Sequence, residues 1–218
     1  MTRAVNMGKL FFYSDQIAET PGNRRLDERL LEGLDPETAK IAYIPSTEDK
    51  EQKYYTLKAE YYRSYGIRNM MFFDLYSEFD SGEIDELLQC DIIHLSAGNP
   101  IELHQALSRT GMDKHLKAYF NQGGVLAGVS AGAVQFGKST KLFQLYADDS
   151  GETLEALRFV DFEFLPHYNR WNETFKEQVQ DYVRATGTIV YAGNDGDGLI
   201  VEDGEIQFIG DVIALNGD

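Results

Sequence analysis

The sequence predicts an α/β fold: a three-layer, flavodoxin-like sandwich with a mainly parallel central sheet and a C-terminal antiparallel hairpin. Three observations lead there. Short runs that are apolar throughout recur along the 218-residue chain, amphipathic helical segments separate them, and near the end two strand-like runs flank a tight turn. Strands covered on both faces read as unbroken apolar runs, and the helices between them serve as the crossovers of a parallel sheet.

In chain order, strands are expected at Lys9–Tyr13, Ile41–Ile44, Asn69–Phe73, Asp91–Leu95 and Val125–Val129, with weaker ones at Phe162–Leu165 and Thr188–Ala192. Helices are expected at Arg25–Leu34, Glu48–Tyr65, Glu83–Leu88, Ile101–Leu107 and Lys114–Asn121. A later one, Glu173–Ala185, follows Asn172, whose side chain suits an N-cap. Ser46 and Asp49 form a capping pair for the long second helix. Gly198–Val201 and Glu205–Ile209 flank Glu202-Asp203-Gly204, a hairpin turn. No repeat or linker divides the chain, so residues 1–218 are expected to form a single domain.

Composition narrows the function. A hydrophobic content of 43% with 26% charged residues fits a soluble globular protein, and no apolar run is long enough to span a membrane. The first residues lack the apolar core and cleavage site of a secretory signal, and the lone Cys90 cannot form an internal disulfide. The expected location is the cytoplasm. A formal charge of −16 argues against nucleic acid or an anionic membrane as partner, since binding phosphate needs clustered Lys and Arg. The oligomeric state is left open, a homodimer included.

The chemistry centres on Gly128-Val129-Ser130-Ala131-Gly132, a G-x-S-x-G pattern between a strand and a helix start. A serine projecting from such a turn has a strained backbone, and small residues on either side let the chain cross closely. The helix start also offers N–H groups to a developing oxyanion. Of the histidines, His94 falls inside a buried strand, while His104 and His115 fall on helices. His167 follows Pro166 at the end of a strand, where a general base should stand. An orienting acid is sought between the two, and Asp148 and Asp149 are favoured over Glu152, with a dyad using water or a backbone carbonyl still open. Asn194-Asp195-Gly196-Asp197-Gly198 lacks the spacing of a calcium loop and reads as a turn.

With Ser96-Ala97-Gly98-Asn99-Pro100 after one strand and Pro166-His167-Tyr168 after another, the motif resembles the peptidase E family of serine peptidases. That family shares its architecture with class I glutamine amidotransferases and includes cyanophycinases. The resemblance spans roughly Leu10 to Arg170, and the 37-residue spacing from Ser130 to His167 suits its dipeptidase branch. Ala97 stands where the family carries the first of paired glycines.

The resemblance implies hydrolysis of short peptides with an N-terminal aspartate through an acyl-enzyme on Ser130, with His167 as base. It implies an oxyanion hole from the Gly98 and Ala131 N–H groups, and no metal or organic cofactor. Asn99 and Arg170 are the expected substrate contacts. The planar fork of Arg170 matches a carboxylate, though a plain surface role is equally open. Lys138 and Lys141 are weaker candidates.

Two other readings remain: a small esterase of the α/β-hydrolase type, and a non-catalytic binding relative. The first is disfavoured because only about 90 residues follow Ser130. A glutamine amidotransferase would need a thiol where Ser130 stands.

Overall fold

The structure, a computed structural model, describes residues 7–17, 19–147 and 153–217. The first half runs β1 (Lys9–Tyr13), α1 (Pro21–Leu30), β2 (Lys40–Ile44), α2 (Lys53–Arg63), β3 (Asn69–Phe72), α3 (Ile84–Leu87), β4 (Ile92–Leu95) and α4 (Pro100–Thr110). The second runs α5 (Met112–Asn121), β5 (Val125–Val129), α6 (Ala131–Val134), α7 (Lys141–Tyr146), β6 (Glu163–Leu165), α8 (Glu173–Thr186), β7 (Val190–Gly193), β8 (Gly198–Glu202), β9 (Glu205–Ile209) and β10 (Val212–Leu215).

Seven strands form the main sheet in the order β3-β2-β4-β5-β1-β8-β9. The first five are parallel, and the β8–β9 hairpin extends the sheet antiparallel to β1. The α/β architecture, parallel core and terminal hairpin expected from the sequence are all present.

Strand periodicity explains the layers. Successive side chains of β1 point to opposite faces. Leu10 and Phe12 enter a core with Leu103 and Leu107 of α4 and Leu116 and Phe120 of α5. Phe11 and Tyr13 enter another with Leu26 and Leu30 of α1 and Tyr62 of α2. Helices therefore cover the sheet on both sides.

A second, three-stranded sheet of order β10-β7-β6 was not anticipated, nor was β10 itself. β6 and β7 are parallel and β10 is antiparallel to β7. Leu165, Val190 and Ala192 pack there against Phe175, Val179 and Val183 of α8. Phe12 of the main sheet joins the two, its ring lying 5.5 Å from Phe162, 5.5 Å from Phe164 and 5.2 Å from Phe136.

Helix α2 begins at Lys53 rather than Glu48. Asp49 does cap it, accepting the N–H groups of Lys53, Tyr54 and Tyr55 at 2.9, 3.1 and 3.0 Å. Ser46 takes no part in that cap and donates instead to the Ala97 carbonyl. Among the described residues no helix is long and apolar enough to cross a membrane.

Phe12→Ala is expected to cost ~3–5 kcal/mol, the usual loss for truncating a fully buried aromatic side chain. Urea unfolding read by far-UV circular dichroism checks it, and a loss below about 1 kcal/mol would mean the sheets do not depend on this contact.

Candidate active site

The carboxyl ends of β1, β2, β4 and β5 share one edge of the main sheet, where ligands of open α/β folds gather. Ser130 follows β5 with φ 49° and ψ −106°, a conformation outside the regions L-residues ordinarily adopt. Its N–H donates to the Tyr13 carbonyl at 2.9 Å, and its C=O accepts the Val134 N–H at 3.0 Å. The glycines of the motif have steric causes. A Cβ on Gly132 would fall 2.2 Å from the Leu95 oxygen, and one on Gly128 would fall 2.6 Å from the Ala133 nitrogen.

His167 comes from the second sheet, just past β6, with φ 60°. Its Nε2 lies 3.0 Å from Ser130 Oγ, and its Nδ1 lies 2.7 Å from Asp195 Oδ1. Because β6 and β7 are parallel neighbours, the segments following them, which carry His167 and Asp195, emerge side by side.

Asp195 was read from sequence as part of a turn. It does lie in one, but the turn is pinned to the end of β1. Ser14 N–H donates to the Asp197 carbonyl at 3.0 Å, and Gly196 N–H donates to Asp15 Oδ1 at 2.7 Å. Asp148 and Asp149, the expected acids, lie outside the described residues, as does Glu152; the carboxylate at His167 Nδ1 is that of Asp195. The rule that functional groups gather beyond strand carboxyl ends, had it been applied to the strand expected at Thr188–Ala192, would have pointed to it.

Burial alone would raise the Asp195 pKa. Hydrogen bonds from His167, Arg170 and Asn169 outweigh it and hold the carboxyl below its usual range. An ionised carboxylate needs a donor, so Nδ1 carries the imidazole proton and Nε2 is left to accept from Ser130 Oγ–H.

Ser14 ties the two sheets together at this point. Its hydroxyl donates to the Gly193 carbonyl at 3.1 Å and accepts the His167 N–H at 2.7 Å. Gly98 and Ala131 both border the space beside Ser130. Among the described residues neither of their N–H groups has a backbone acceptor.

Two expected substrate contacts are engaged elsewhere. Asn99 caps α4: its Oδ1 accepts the Ile101 and Glu102 N–H groups at 2.9 and 3.3 Å, and its Nδ2 donates to Glu102 at 3.1 Å. Capping uses the Asn99 oxygen and one of its two amide N–H bonds. Arg170 borders the cavity, but its Nε donates to Asp195 Oδ2 at 2.5 Å, and its Nη2 lies 3.9 Å from Asp15. Lys138 donates to Thr188 at 3.2 Å, and neither it nor Lys141 borders the space beside Ser130.

Sequence reasoning also missed Lys58, on α2. It borders a cavity of about 640 Å³ that opens from Ser130 past Ser96, Gln16 and Tyr61. Its Nζ donates to Gln16 Oε1 at 2.6 Å and lies over the Tyr61 ring. Burial lowers its pKa to about 8, against the opposing charges of Asp27 and Asp15. His94 lies in β4, fully buried, with Nδ1 3.0 Å from the Tyr62 hydroxyl. Cys90 precedes β4, at the end of that strand away from Ser130, and burial pushes its thiol up to about 11. No thiolate competes with the serine there.

Comparison with known proteins gives the family and the fold. The family model described as Peptidase family S51 matches residues 10–209. The uncharacterized peptidase YgaJ of Bacillus subtilis is 24% identical over 187 residues, covering 82% of this chain and 76% of that protein. The uncharacterized peptidase Lmo0363 of Listeria monocytogenes is 38% identical over 109 residues; the match covers 47% of this chain and about half (51%) of that protein.

Two crystal structures share the fold. One, of a Listeria monocytogenes EGD-e protein named as a candidate peptidase E, has a TM-score of 0.71 at 26% identity, covering 93% of this chain and 98% of that one. The other, of a peptidase from an acI-B1 actinobacterium, has a TM-score of 0.75 at 19% identity, covering 98% of this chain and 93% of that one.

Ser14→Ala leaves the His167 N–H without its acceptor. The expected outcome is a loss of ~1–3 kcal/mol in stability and slower labelling of Ser130 by a fluorophosphonate. Urea unfolding and intact-mass labelling rates check both, and unchanged labelling would show that Ser14 does not hold the imidazole in place.

Proposed function

The chain belongs to peptidase family S51 and is a serine-type peptidase; from that premise we propose that it hydrolyses short peptides with an N-terminal aspartate through an acyl-enzyme on Ser130. The observation carrying the proposal is the contact of Ser130 Oγ with His167 Nε2, backed by Asp195 at Nδ1.

In this mechanism Ser130 Oγ attacks the carbonyl carbon next to the scissile bond while His167 Nε2 takes its proton. Asp195 stabilises the imidazolium without being protonated itself. The oxyanion forms beside the Gly98 and Ala131 N–H groups, where losing one such donor typically costs ~3 kcal/mol. The C–N bond then breaks, and the amine leaves with the proton from His167. Water, deprotonated by the same nitrogen, attacks the ester; its C–O bond to Ser130 breaks and Oγ regains a proton. All of these groups belong to the chain, and no step needs a metal or organic cofactor.

Acidic preference is assigned to Lys58, because Arg170 is engaged with Asp195. Asp15 is the carboxylate bordering the same cavity, and it has the charge to attract the substrate ammonium. Its Oδ2 has no hydrogen-bond partner among the described residues.

A panel of Asp-X, Glu-X, Asn-X and Leu-X dipeptides tests the reading. Asp-X is expected to turn over best, Ser130→Ala to be inactive, and Asp195→Asn to lose about ten-thousandfold in kcat through the wrong imidazole tautomer. An active Ser130→Ala enzyme would overturn the mechanism, and equal turnover of Leu-X would overturn the specificity.

The lowered pKa of Lys58 adds a signed pH test. Lys58 is cationic below about pH 8 and neutral above it. The ratio of kcat/KM for Asp-X over Asn-X, each corrected for the titration of its own amino group, should therefore fall as pH rises through that value. In Lys58→Met the ratio should be small and flat with pH; a ratio unchanged from wild type would remove Lys58 from substrate recognition.

A further inference from the structure

Ser130 stands where two cavities meet. The larger, described above, carries the charged groups Asp15, Lys58 and Arg170. The smaller, about 210 Å³, is walled by Leu142, Phe143, Tyr146, Trp171 and Phe175. Gly98, Ser130 and His167 border both. A peptide with its scissile carbonyl at Ser130 Oγ therefore sends the residues on either side of the bond into different cavities.

Charge decides which goes where. An N-terminal aspartate brings an ammonium and a carboxylate, and each is costly to desolvate without a partner. Apart from the shared imidazole and the Tyr146 phenol, the residues around the smaller cavity have no ionisable side chain. The aspartate therefore belongs in the larger one.

The smaller cavity is sized and built for one apolar side chain. About 150 Å³ is enough for benzene in a protein interior. Its aromatic wall is braced: Trp171 Nε1 donates to the Pro166 carbonyl at 2.7 Å, and the Trp171 ring lies 4.5 Å from Tyr146 and 5.0 Å from Phe175. Tyr146 is 53% exposed, so the pocket opens to solvent there and the rest of a peptide can leave past its ring.

We propose that this pocket binds the residue on the leaving-group side of the scissile bond and selects an aromatic or branched aliphatic side chain, so that the preferred substrates are Asp-Phe and Asp-Leu. The proposal rests on the peptidase mechanism above and deepens it.

The test is kcat/KM for Asp-Gly, Asp-Ala, Asp-Leu, Asp-Phe and Leu-Gly, with aspartate α-methyl ester, whose leaving group is too small to reach the pocket. Wild type is expected to favour Asp-Phe and Asp-Leu over Asp-Gly by about tenfold or more, the scale of burying a large apolar side chain. Phe143→Asp should bring that ratio to within about threefold. Tyr146→Ala, at an exposed position that tolerates truncation, should lower the Asp-Phe ratio in the same direction should Phe143→Asp fail to fold.

Equal rates for Asp-Gly and Asp-Phe, with the ester still hydrolysed, would overturn the pocket assignment and leave the mechanism standing. Leu-Gly cleaved faster than Asp-Gly would place the apolar pocket on the acyl side and also overturn it. Neither ester nor peptide turned over would end both.

Discussion

The hydrogen bond between Ser130 and His167 crosses from one sheet to another, and the proposed chemistry depends on holding that crossing in register. Ser130 rides on β5 of the main sheet, while His167 and Asp195 follow β6 and β7 of the small one. The small sheet is seated by the aromatic contacts of Phe12 and by the Ser14 hydroxyl, which bonds both Gly193 and His167. Packed side chains fix the spacing, and the directional hydrogen bonds of Ser14 fix the rotation. A shift of about 1 Å would pull donor and acceptor beyond useful range.

The electrostatics of the site run against those of the chain. With a formal charge of −16, the molecule repels acidic peptides at long range, so recognition of the proposed acidic substrate has to come from local cations. Arg170 spends its charge on Asp195, where it helps keep that carboxyl ionised. Lys58 is differently placed. Its nearest partner is the neutral Gln16, which donates in turn to Asp27. Asp27 also accepts hydroxyls from Tyr13, Tyr61 and Tyr65, and burial raises its pKa. The cation is thus held within reach of carboxylates but, among the described residues, closed in a direct ion pair with none of them.

The same separation of charge divides the two cavities. Ionisable groups line the side reached from β1 and α2, and aromatic rings from α7, α8 and the segment between β6 and α8 line the other. The proposed substrates, with a charged first residue and an apolar second one, match this division.

Local patterns in the sequence determined much of this protein. The β-α-β alternation, the β8–β9 hairpin and the Asn172 cap of α8 were legible because each depends on residues near one another in the chain. So was the Ser130 turn, whose glycines are demanded by clashes with Leu95 and with Ala133 of its own helix. The tertiary structure alone decided the partners. Asp195 reaches His167 because β6 and β7 pair side by side across an intervening helix. Asn99 caps α4, and Lys58 enters the cavity from a helix that shows only its own periodicity in the sequence. Sequence patterns report which face of an element is buried; which elements meet, and so which charged groups face each other, follows from long-range packing that no single segment encodes.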